Sequence, residues 1–411
     1  SLSMQLAVDH STKNIATKLV ITGSKSETNR LLLLQALYPQ LSIENASNSD
    51  DSVAMAKALG SNDELKDIHH AGTAMRFLTA YFATKTDSSI VLTGSKRMQE
   101  RPIGLLVDAL NSLGASVTYD QKQGYPPLRI LGKQLEGGEV SLPANISSQY
   151  ISALLLVAPK LTKGLVLHIQ GEITSLPYIK MTLALLERIG VSTSFDKTTI
   201  RVPHQAVIVP QEQIVESDWS SASYWFSCLA LCEEGEIILS SYREDSLQGD
   251  RVLLDIYQKL GVTHHFGKEG LSLKKEKGFV LPACLEMDLV EAPDIAQTIA
   301  VSCYGLGVEC VLTGLHTLKI KETDRLLALE KELSKLGANI TVTNDSLHLS
   351  SIQNFQKGQA IDTYHDHRMA MAFAPLGLKV PLEINEAEVV TKSYPGFWED
   401  MQRTGFQIVE K

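Results

Sequence analysis

Several features that mark common protein classes are missing from this sequence of 411 residues. Its five cysteines include no CxxC pair, so they form neither a recognisable disulfide framework nor a zinc-binding pattern. No uninterrupted apolar run approaches the roughly 20 residues that a membrane span needs. The N-terminus shows no basic segment followed by an apolar one, which is the pattern of a secretory signal. We therefore expect a cytoplasmic protein that does not cross a membrane.

Positive charge is also scarce in this sequence. Lysine and arginine number 38 against 47 aspartates and glutamates, which gives a net charge of −9. Nucleic acids and anionic membranes require a broad positive field, so we expect neither as a partner. The chain is long enough for two ordinary domains with their own cores. Any anion-binding site must therefore be a local concentration of cations.

The sequence does contain a weak repeat, in which a helical pattern ends in glycine and a β-rich run often follows. The six copies lie at 55–60, 106–114, 181–190, 252–261, 326–337 and 397–405. Glycine is favoured after a helix because it accepts a left-handed backbone. A spacing of roughly 50 to 80 residues suits βαβ units with an additional hairpin. The repeat predicts an α/β fold with three units in each of two domains, although any α/β protein shows helix, glycine and strand in this order.

Residues 23–30, GSKSETNR, form the first candidate anion-binding segment. They separate an apolar run from a leucine-rich one, which is typical of a strand-to-helix turn. Ser24 and Glu27 have the spacing of a capping box, so a helix should begin here with backbone N–H groups exposed. Lys25 and Arg30 would add positive charge to that helix start. The segment lacks the P-loop spacing, and an ordinary capped helix with solvated cations is the alternative interpretation.

Further segments place cations or polar donors at predicted helix starts. They are 69–76, 99–104, 147–150, 321–325, 365–370 and 391–392. Lys321 and Arg325 are four residues apart, so both cations would project from one helical face. His365, Asp366 and His367 are close enough in sequence to ligate a metal, but a second ligand cluster is missing, and capping by Asp366 is the simpler interpretation. We expect no metal.

Seven short sequence motifs together resemble the 5-enolpyruvylshikimate-3-phosphate synthase family, whose members are enolpyruvyl transferases. They are GSKSETNR at 23–30, AGTAMR at 71–76, ERPIG at 100–104, SSQY at 147–150, DSLQGD at 245–250, KETDR at 321–325 and DHRMAMAFA at 366–374. The resemblance implies an inside-out α/β barrel of two similar domains, each of three βαβαββ units. One domain would comprise residues 23–218 and the other residues 1–22 with 219–411, with the active site in the cleft between them.

The resemblance also implies the chemistry. The enolpyruvyl group of phosphoenolpyruvate would pass to the 5-hydroxyl of shikimate 3-phosphate with release of phosphate, on the route to chorismate and the aromatic amino acids. No cofactor is implied, and the protein would act as a monomer. The two substrates bring about five to six negative charges. We therefore expect the seven cations at matching positions to repel one another in the empty site and the domains to close once substrates bind. These cations are Lys25, Arg30, Arg101, Lys321, Arg325, Arg368 and Lys392.

Roles follow from the resemblance residue by residue. The catalytic residues would be Asp294 as base, Glu322 as acid, and Lys321 and Lys25 as cations beside the reacting groups. Shikimate 3-phosphate would contact Lys25, Ser26, Arg30, Ser147, Ser148, Gln149, Ser175, Tyr178, Asp294, Thr317 and Lys321. Phosphoenolpyruvate would contact Lys25, Gly72, Arg101, Gln149, Arg325, Arg368 and Lys392. Because cations lower the affinity of a carboxylate for protons, sequence alone leaves open how Glu322 would hold one.

Three positions depart from the family pattern, namely His70, Phe77 and Thr317. They bear on affinity and on the response to glyphosate, the family's inhibitor, which should compete beside Gly72. Two alternatives to the shikimate enzyme stay open. One is the sister transferase that acts on UDP-N-acetylglucosamine and typically uses a cysteine in a flexible loop. The other is an anion-binding relative without catalysis, which a phosphate-release assay would distinguish.

Overall fold

The computed structural model describes residues 3–173 and 176–411. Contacts divide the chain into two compact units. We call Gly23–Val215 the continuous unit, and Ser1–Thr22 together with Glu216–Lys411 the discontinuous unit. Each unit has its own cluster of buried apolar side chains. No helix in the described ranges has the length and apolar character needed to span a membrane.

The described residues alternate between short strands and helices. The strands are β1 Leu6–Asp9, β2 Asn14–Leu19, β3 Leu41–Glu44, β4 Leu65–Asp67, β5 Ser89–Thr93, β6 Ser116–Tyr119, β7 Leu128–Leu131, β8 Gly138–Pro143, β9 Leu165–Gln170, β10 Ser194–Asp196, β11 Thr199–Val202, β12 Gln211–Ile214, β13 Glu234–Leu239, β14 Val262–Gly267, β15 Gly270–Lys275, β16 Cys284–Asp288, β17 Glu309–Thr313, β18 Ile340–Val342, β19 Leu347–Leu349, β20 Ala360–Ile361, β21 Leu382–Ile384 and β22 Gln407–Glu410. The helices are α1 Lys25–Leu37, α2 Asp50–Gly60, α3 Gly72–Thr84, α4 Lys96–Gln99, α5 Gly104–Ser112, α6 Ser148–Val157, α7 Leu176–Ile189, α8 Trp219–Leu231, α9 Leu253–Gln258, α10 Ala296–Leu306, α11 Arg325–Lys335, α12 His367–Phe373 and α13 Phe397–Arg403. Short 3₁₀ segments include Pro293–Ile295 before α10 and His316–Ile320 before α11.

One connection pattern recurs in the sheets. In the run β8–α6–β9–α7–β10–β11, β8 and β9 are parallel, and the hairpin β10–β11 adds to β9 in antiparallel fashion. The runs from β4 to β7 and from β16 to β19 repeat this order. Each is a βαβαββ unit. This topology confirms the predicted α/β class.

The N-terminal strands complete two sheets of the discontinuous unit. β2 pairs in parallel with β13, opposite the hairpin β14–β15, and β1 lies between β21 and β22. The remaining sheet, in the continuous unit, contains only the parallel pair β3 and β12 among the described residues. The predicted unit that contains the first copy of the repeat, 55–60 in α2, therefore has a smaller sheet than the other five.

The glycines of the repeat mostly behave as the sequence predicts. Five of the six, those that follow the later copies, have φ between 89° and 105°. Gly60 differs, because it is the last residue of α2, and the chain continues from it through an extended Ser61. At Gly337 a Cβ would lie 1.7 Å from the Asn354 carbonyl oxygen, so close packing as well as left-handed backbone requires glycine there.

Two helices of the discontinuous unit, α8 and α10, are buried over nearly their whole length. Every residue of α8 and all but the last of α10 are buried. Helices that are apolar on all sides belong in a core. Small polar residues satisfy one another between them, as where Ser223 Oγ lies 3.0 Å from Thr298 Oγ1. This packing fixes the helix starts, where Asp218 caps α8 and Asp294 lies just before α10.

Candidate active site

The start of α1 in the continuous unit carries the first predicted anion-binding segment. Ser24 is the N-cap, and its Oγ accepts a hydrogen bond from the Glu27 backbone N–H at 3.2 Å, which confirms the predicted cap. The Glu27 carboxylate accepts from Arg188 Nη1 at 3.3 Å. Lys25 is exposed, with its Nζ 3.1 Å from Asp51 Oδ2. The helix therefore begins with a cation beside backbone N–H groups, an arrangement that binds anions.

Arg30 lies beneath this helix start, with only 2% of its surface exposed. Its guanidinium donates to Thr182 Oγ1 at 2.8 Å, Ser152 Oγ at 3.1 Å and the Ser26 carbonyl at 2.9 Å. Burial lowers the pKa of Arg30 to about 10, against the opposing influence of Tyr178. The side chain is still charged at neutral pH. Its predicted role as a substrate contact therefore requires a ligand that reaches a well-bound, buried cation.

Two arginines converge on Gly72 at the start of α3. A Cβ built on Gly72 would lie 2.6 Å from Arg101 Nη1 and 3.1 Å from Arg76 Nη1. Arg76 is 6% exposed and donates to the Gly72 carbonyl at 2.8 Å, with its guanidinium 5.7 Å from the centre of the Tyr150 ring. Burial, together with the charge of Arg101, lowers the pKa of Arg76. Bare backbone beside two cations suits a small anion.

The start of α6 lies next to the start of α3. Gln149 Nε2 donates to Thr73 Oγ1 at 2.9 Å. The Tyr150 hydroxyl donates to the Pro102 carbonyl at 2.5 Å, in the turn that contains Arg101. These two hydrogen bonds bring the predicted segments 69–76, 99–104 and 147–150 together within the continuous unit.

The remaining predicted residues of this unit lie around the same helices. Ser147 is the N-cap of α6 and accepts from the Gln149 N–H at 3.2 Å, and Ser148 is buried. Tyr178 in α7 is 47% exposed, and its ring centre is 5.8 Å from Arg30 Cζ. Ser175 lies outside the described residues.

In the discontinuous unit, the predicted residues are organised around Arg325. This side chain is 2% exposed and forms salt bridges with three carboxylates. Its Nε lies 2.8 Å from Asp366 Oδ2, its Nη2 2.6 Å from Glu322 Oε2, and its Nη1 3.2 Å from Asp294 Oδ1. Asp366 is fully buried and also caps α12 by accepting from the Arg368 N–H at 3.0 Å. The planar guanidinium therefore fixes the positions of three acidic groups at once.

Asp294, the predicted base, is surrounded by cations. Besides Arg325, Lys321 Nζ lies 4.0 Å from its Oδ1 and Arg368 Nη2 lies 3.8 Å from its Oδ2. Burial acts to raise the pKa of Asp294, but Arg368, Lys321 and Arg325 together lower it below the ordinary value. Asp294 is thus ionised at neutral pH, as an acceptor of protons must be.

Glu322, the predicted acid, is also ionised in this structure. Its Oε1 lies 3.6 Å from His367 Nε2, and its other oxygen binds Arg325. Burial opposes ionisation, but His367 and Arg325 hold the pKa of Glu322 far below its usual range. Burial lowers the pKa of His367 itself, so this imidazole is neutral at neutral pH. With these neighbours Glu322 holds no proton at neutral pH, and its role as the acid stays a prediction.

Arg368 extends the group towards a further carboxylate. Its Nη1 lies 3.5 Å from the Tyr224 hydroxyl. Burial acts to lower the pKa of Arg368, but Asp294, Tyr224 and other nearby groups raise it well above its ordinary value. Burial and the charge of Asp294 raise the pKa of Asp250 to about 8. Asp250 is therefore mostly protonated at neutral pH and differs in this respect from Asp294.

The last predicted residues of this unit lie in two 3₁₀ segments. Thr317 belongs to His316–Ile320, and in the described part of the chain its buried hydroxyl oxygen has no hydrogen-bond partner. Lys392 ends the segment Ala387–Lys392, and its Nζ donates to the His365 carbonyl. A buried, unpaired hydroxyl suits a ligand contact, since such groups normally find a partner.

The segment 365–367 contributes to a group of side chains that could hold a metal ion. Ligand atoms of Glu322, Asp366 and His367 do lie within 4.8 Å of one another. However, Arg325 already occupies the position of a cation, because it binds both carboxylates. The cluster is therefore better explained as the shell that holds Arg325.

Some residues at these sites were not assigned roles from sequence. Arg76 and Asp250 stand within motifs that the sequence analysis singled out, yet only the structure shows that the Arg76 guanidinium lies beside Gly72 and that the Asp250 carboxyl group is near Arg368. The predicted cations were expected to repel one another, but in the structure several of them are paired with carboxylates. Lys25 pairs with Asp51, and Lys321, Arg325 and Arg368 share Asp294, so carboxylates neutralise much of their charge. An anionic substrate must compete with these carboxylates.

Comparison with known proteins identifies the family. The model of the family EPSP synthase (3-phosphoshikimate 1-carboxyvinyltransferase) matches residues 57–401. A protein of Bacteroides fragilis (strain YCH46) named 3-phosphoshikimate 1-carboxyvinyltransferase is 45% identical over 401 residues, which cover 96% of each chain. A protein of the same name from Haemophilus influenzae (strain PittEE) is 35% identical and covers 93% of this chain and 95% of its own. The structure of EPSP synthase from Acinetobacter baumannii has a similar fold, with a TM-score of 0.82 at 21% identity over 99% of this chain and 100% of that one. The chain therefore belongs to the EPSP synthase family.

Proposed function

We propose that this protein transfers the enolpyruvyl group of phosphoenolpyruvate to the 5-hydroxyl of shikimate 3-phosphate and releases inorganic phosphate. The observation that carries the proposal is the group around Arg325, in which an ionised Asp294 lies within 4.0 Å of three cations. A phosphorylated carboxylic acid needs such cations, and transfer to a hydroxyl needs a base among them that removes the hydroxyl proton. Membership of the family supports the choice of substrates over those of the sister transferase.

We propose that residues of both units act on the same pair of substrates. The continuous unit offers neutral donors and cations at the starts of α1, α3 and α6, which suit phosphate and carboxylate groups. The discontinuous unit offers the base, the acid and Arg325 with Arg368. Phosphoenolpyruvate would be held by Arg101, Arg325, Arg368 and Lys392, and shikimate 3-phosphate by the polar residues assigned above.

The reaction requires one bond to form and one to break, with two proton transfers on the same carbon. Asp294 takes the proton of the 5-hydroxyl while the hydroxyl oxygen attacks C2 of phosphoenolpyruvate. The methylene carbon C3 receives a proton from Glu322, the proposed acid. Glu322, now a carboxylate, then takes a proton back from C3 while the bond between C2 and the phosphate oxygen breaks, so phosphate leaves and the double bond is restored. Lys321 lies beside Asp294 and would stabilise the developing negative charge.

We further propose that the two units are the two catalytic domains, that the protein acts as a monomer in the cytoplasm, and that glyphosate competes with phosphoenolpyruvate near Gly72. Sedimentation of the purified chain with and without both substrates tests the monomer. A sedimentation coefficient that corresponds to a dimer under both conditions would contradict it.

The test of the reaction is phosphate release with both substrates and with each one omitted. We expect release only with both, and none when UDP-N-acetylglucosamine replaces shikimate 3-phosphate. Replacing Lys321 with alanine should lower kcat by roughly 10²-fold or more, as expected for loss of a group that stabilises developing charge. The matched control is Lys319→Ala, because Lys319 is exposed two residues away and contacts only Asn344 among the described hydrogen-bond partners. Near wild-type turnover in a folded Lys321→Ala variant would refute the role of Lys321.

A further inference from the structure

A buried carboxylate outside the predicted site lies on the same helix as Arg325. Glu332 is two turns further along α11 and has 0% of its surface exposed. It accepts from Lys335 Nζ at 2.6 Å, from the Tyr364 hydroxyl at 2.6 Å and from the Asp362 backbone N–H at 2.8 Å. A buried charge is costly unless it is paired and hydrogen-bonded, and here both conditions are met.

Two of these donors belong to the segment 362–366, which has an unusual backbone. Tyr364 and His365 have φ of 55° and 56°, so two successive residues other than glycine are left-handed. Such conformations are unfavourable and persist only where the surroundings hold them. Asp366 N also donates to the Thr363 carbonyl at 2.8 Å, which closes the turn. Glu332 binds the segment on both sides of Thr363.

The turn leads directly to the proposed active-site residues. Asp366 follows it, binds Arg325 through both carboxylate oxygens and caps α12 at Arg368. Helix α11 therefore holds this segment at two points, with Arg325 at its first residue and Glu332 seven residues later. Residues seven apart lie on the same face of a helix, about 10 Å apart along its axis.

We propose that Glu332 is a positioning residue for the phosphoenolpyruvate site. It fixes the left-handed turn at 364–365, so that Asp366 meets Arg325 and α12 begins with Arg368 directed towards Asp294. A hydrophobic residue at position 332 would fill the space at lower electrostatic cost, but it would leave the turn without its acceptor. The proposal concerns the geometry of Arg325 and Arg368 and rests on the proposed function only for the identity of the ligand.

The first test is kinetic and uses two variants of graded severity. Tyr364→Phe removes one hydrogen bond and keeps the ring, whereas Glu332→Gln removes the charge and keeps the size. We expect the KM for phosphoenolpyruvate to rise about threefold to tenfold in Tyr364→Phe and at least about tenfold in Glu332→Gln. The KM for shikimate 3-phosphate should change less than about twofold in both.

The control is Glu330→Gln on the same helix. The Glu330 carboxylate accepts from the Val342 N–H at 3.1 Å and so stabilises a strand instead of the turn. Glu330→Gln should leave both KM values unchanged even if it lowers the melting temperature. A purely structural role for Glu332 predicts the opposite pattern, in which Glu332→Gln and Glu330→Gln lower the melting temperature alike and neither alters the KM for phosphoenolpyruvate. That result would overturn the proposal.

The second test does not depend on turnover. In crystal structures of Tyr364→Phe and Glu332→Gln, we expect the turn at 364–365 to change and the contact of 2.8 Å between Arg325 Nε and Asp366 Oδ2 to lengthen. Retention of both features in the two variants refutes the positioning role, whatever the enzyme does. Absence of turnover in the wild-type protein, with the expected structural change in the variants, would instead refute the proposed reaction and support the positioning role.

Discussion

Replacing Gly72 with alanine should separate ligand binding from folding. The added methyl group would lie 2.6 Å from Arg101 Nη1, which must retreat by about 0.8 Å to reach the 3.4 Å of ordinary contact. Arg101 is exposed, so its retreat costs little folding free energy, and the buried Arg76, whose Nη1 would lie 3.1 Å from the methyl group, needs to shift by only about 0.3 Å. A guanidinium displaced by this distance loses well-aligned charge-assisted hydrogen bonds to an anion, worth about 1.5–3 kcal/mol. We therefore expect the KM for phosphoenolpyruvate to rise roughly 10- to 150-fold.

The assay is phosphate release as a function of each substrate concentration, together with thermal unfolding. The KM for shikimate 3-phosphate should change little, and the melting temperature should stay within about 2 °C of the wild type. Inhibition by glyphosate should weaken at least as much as phosphoenolpyruvate binding, because the methyl group occupies the same space. The control is Gly60→Ala at the end of α2, where nothing lies within 4 Å of the added Cβ. It should leave both KM values unchanged.

The reasoning fails if Gly72→Ala binds phosphoenolpyruvate as tightly as the wild type. It also fails if the KM for shikimate 3-phosphate rises while that for phosphoenolpyruvate does not. The first result would show that Arg101 does not hold the anion, and the second would show that shikimate 3-phosphate occupies the Gly72 position.

Two further predictions concern stability. Arg30→Met should lower the free energy of unfolding by about 2–4 kcal/mol in a urea titration, since it leaves the hydroxyl of Thr182 and its neighbours without their buried donor. The control, Lys18→Met at an exposed site, should lower the free energy of unfolding by less than about 0.5 kcal/mol. Equal losses in the two variants would contradict the buried network. Folding raises the pKa of Asp250 from 3.8 to about 8, so this group binds more protons in the folded state and its contribution to stability falls as pH rises through that range. Asp250→Asn should therefore gain stability relative to the wild type between pH 5 and 8, by up to about 1.4 kcal/mol per pH unit, whereas the exposed Asp245→Asn should follow the wild type. Parallel pH profiles for wild type and Asp250→Asn would exclude a raised pKa.

Features governed by local sequence were predicted well. The N-cap at Ser24 and the left-handed glycines after five of the six helical copies depend only on neighbouring residues, and the structure confirms them. The α/β class follows from the same local patterns. Strand pairing is not local, which is why the two-stranded sheet of β3 and β12 could not be predicted from the repeat.

The candidate site shows the same division. The motifs identified the residues, but not their neighbours in space. Glu27 was expected only in a capping box, yet its carboxylate binds Arg188, 161 residues away in sequence. Arg30 was expected at a helix start, and only the structure shows that it also binds Thr182 in α7 and Ser152 in α6, while its contact with substrate stays a prediction. Such contacts depend on how the helices pack, and neither the spacing of the motifs nor the amino-acid composition predicts that packing.

The ionised state of Glu322 suggests how the proposed acid could obtain its proton. One oxygen of Glu322 is bound to Arg325 at 2.6 Å, and this contact is one of the forces that lower the pKa of Glu322. Phosphoenolpyruvate carries a carboxylate and a phosphate, each of which competes for the same guanidinium. If the substrate takes the Arg325 Nη2 donor, Glu322 loses its strongest cation and gains an adjacent negative charge, and both changes raise its pKa. Binding of phosphoenolpyruvate would thus cause Glu322 to take up the proton that it later donates to the substrate. Glu322 would remain ionised until phosphoenolpyruvate is bound. Binding of phosphoenolpyruvate should accordingly take up a proton at neutral pH, whereas binding to Glu322→Gln should not.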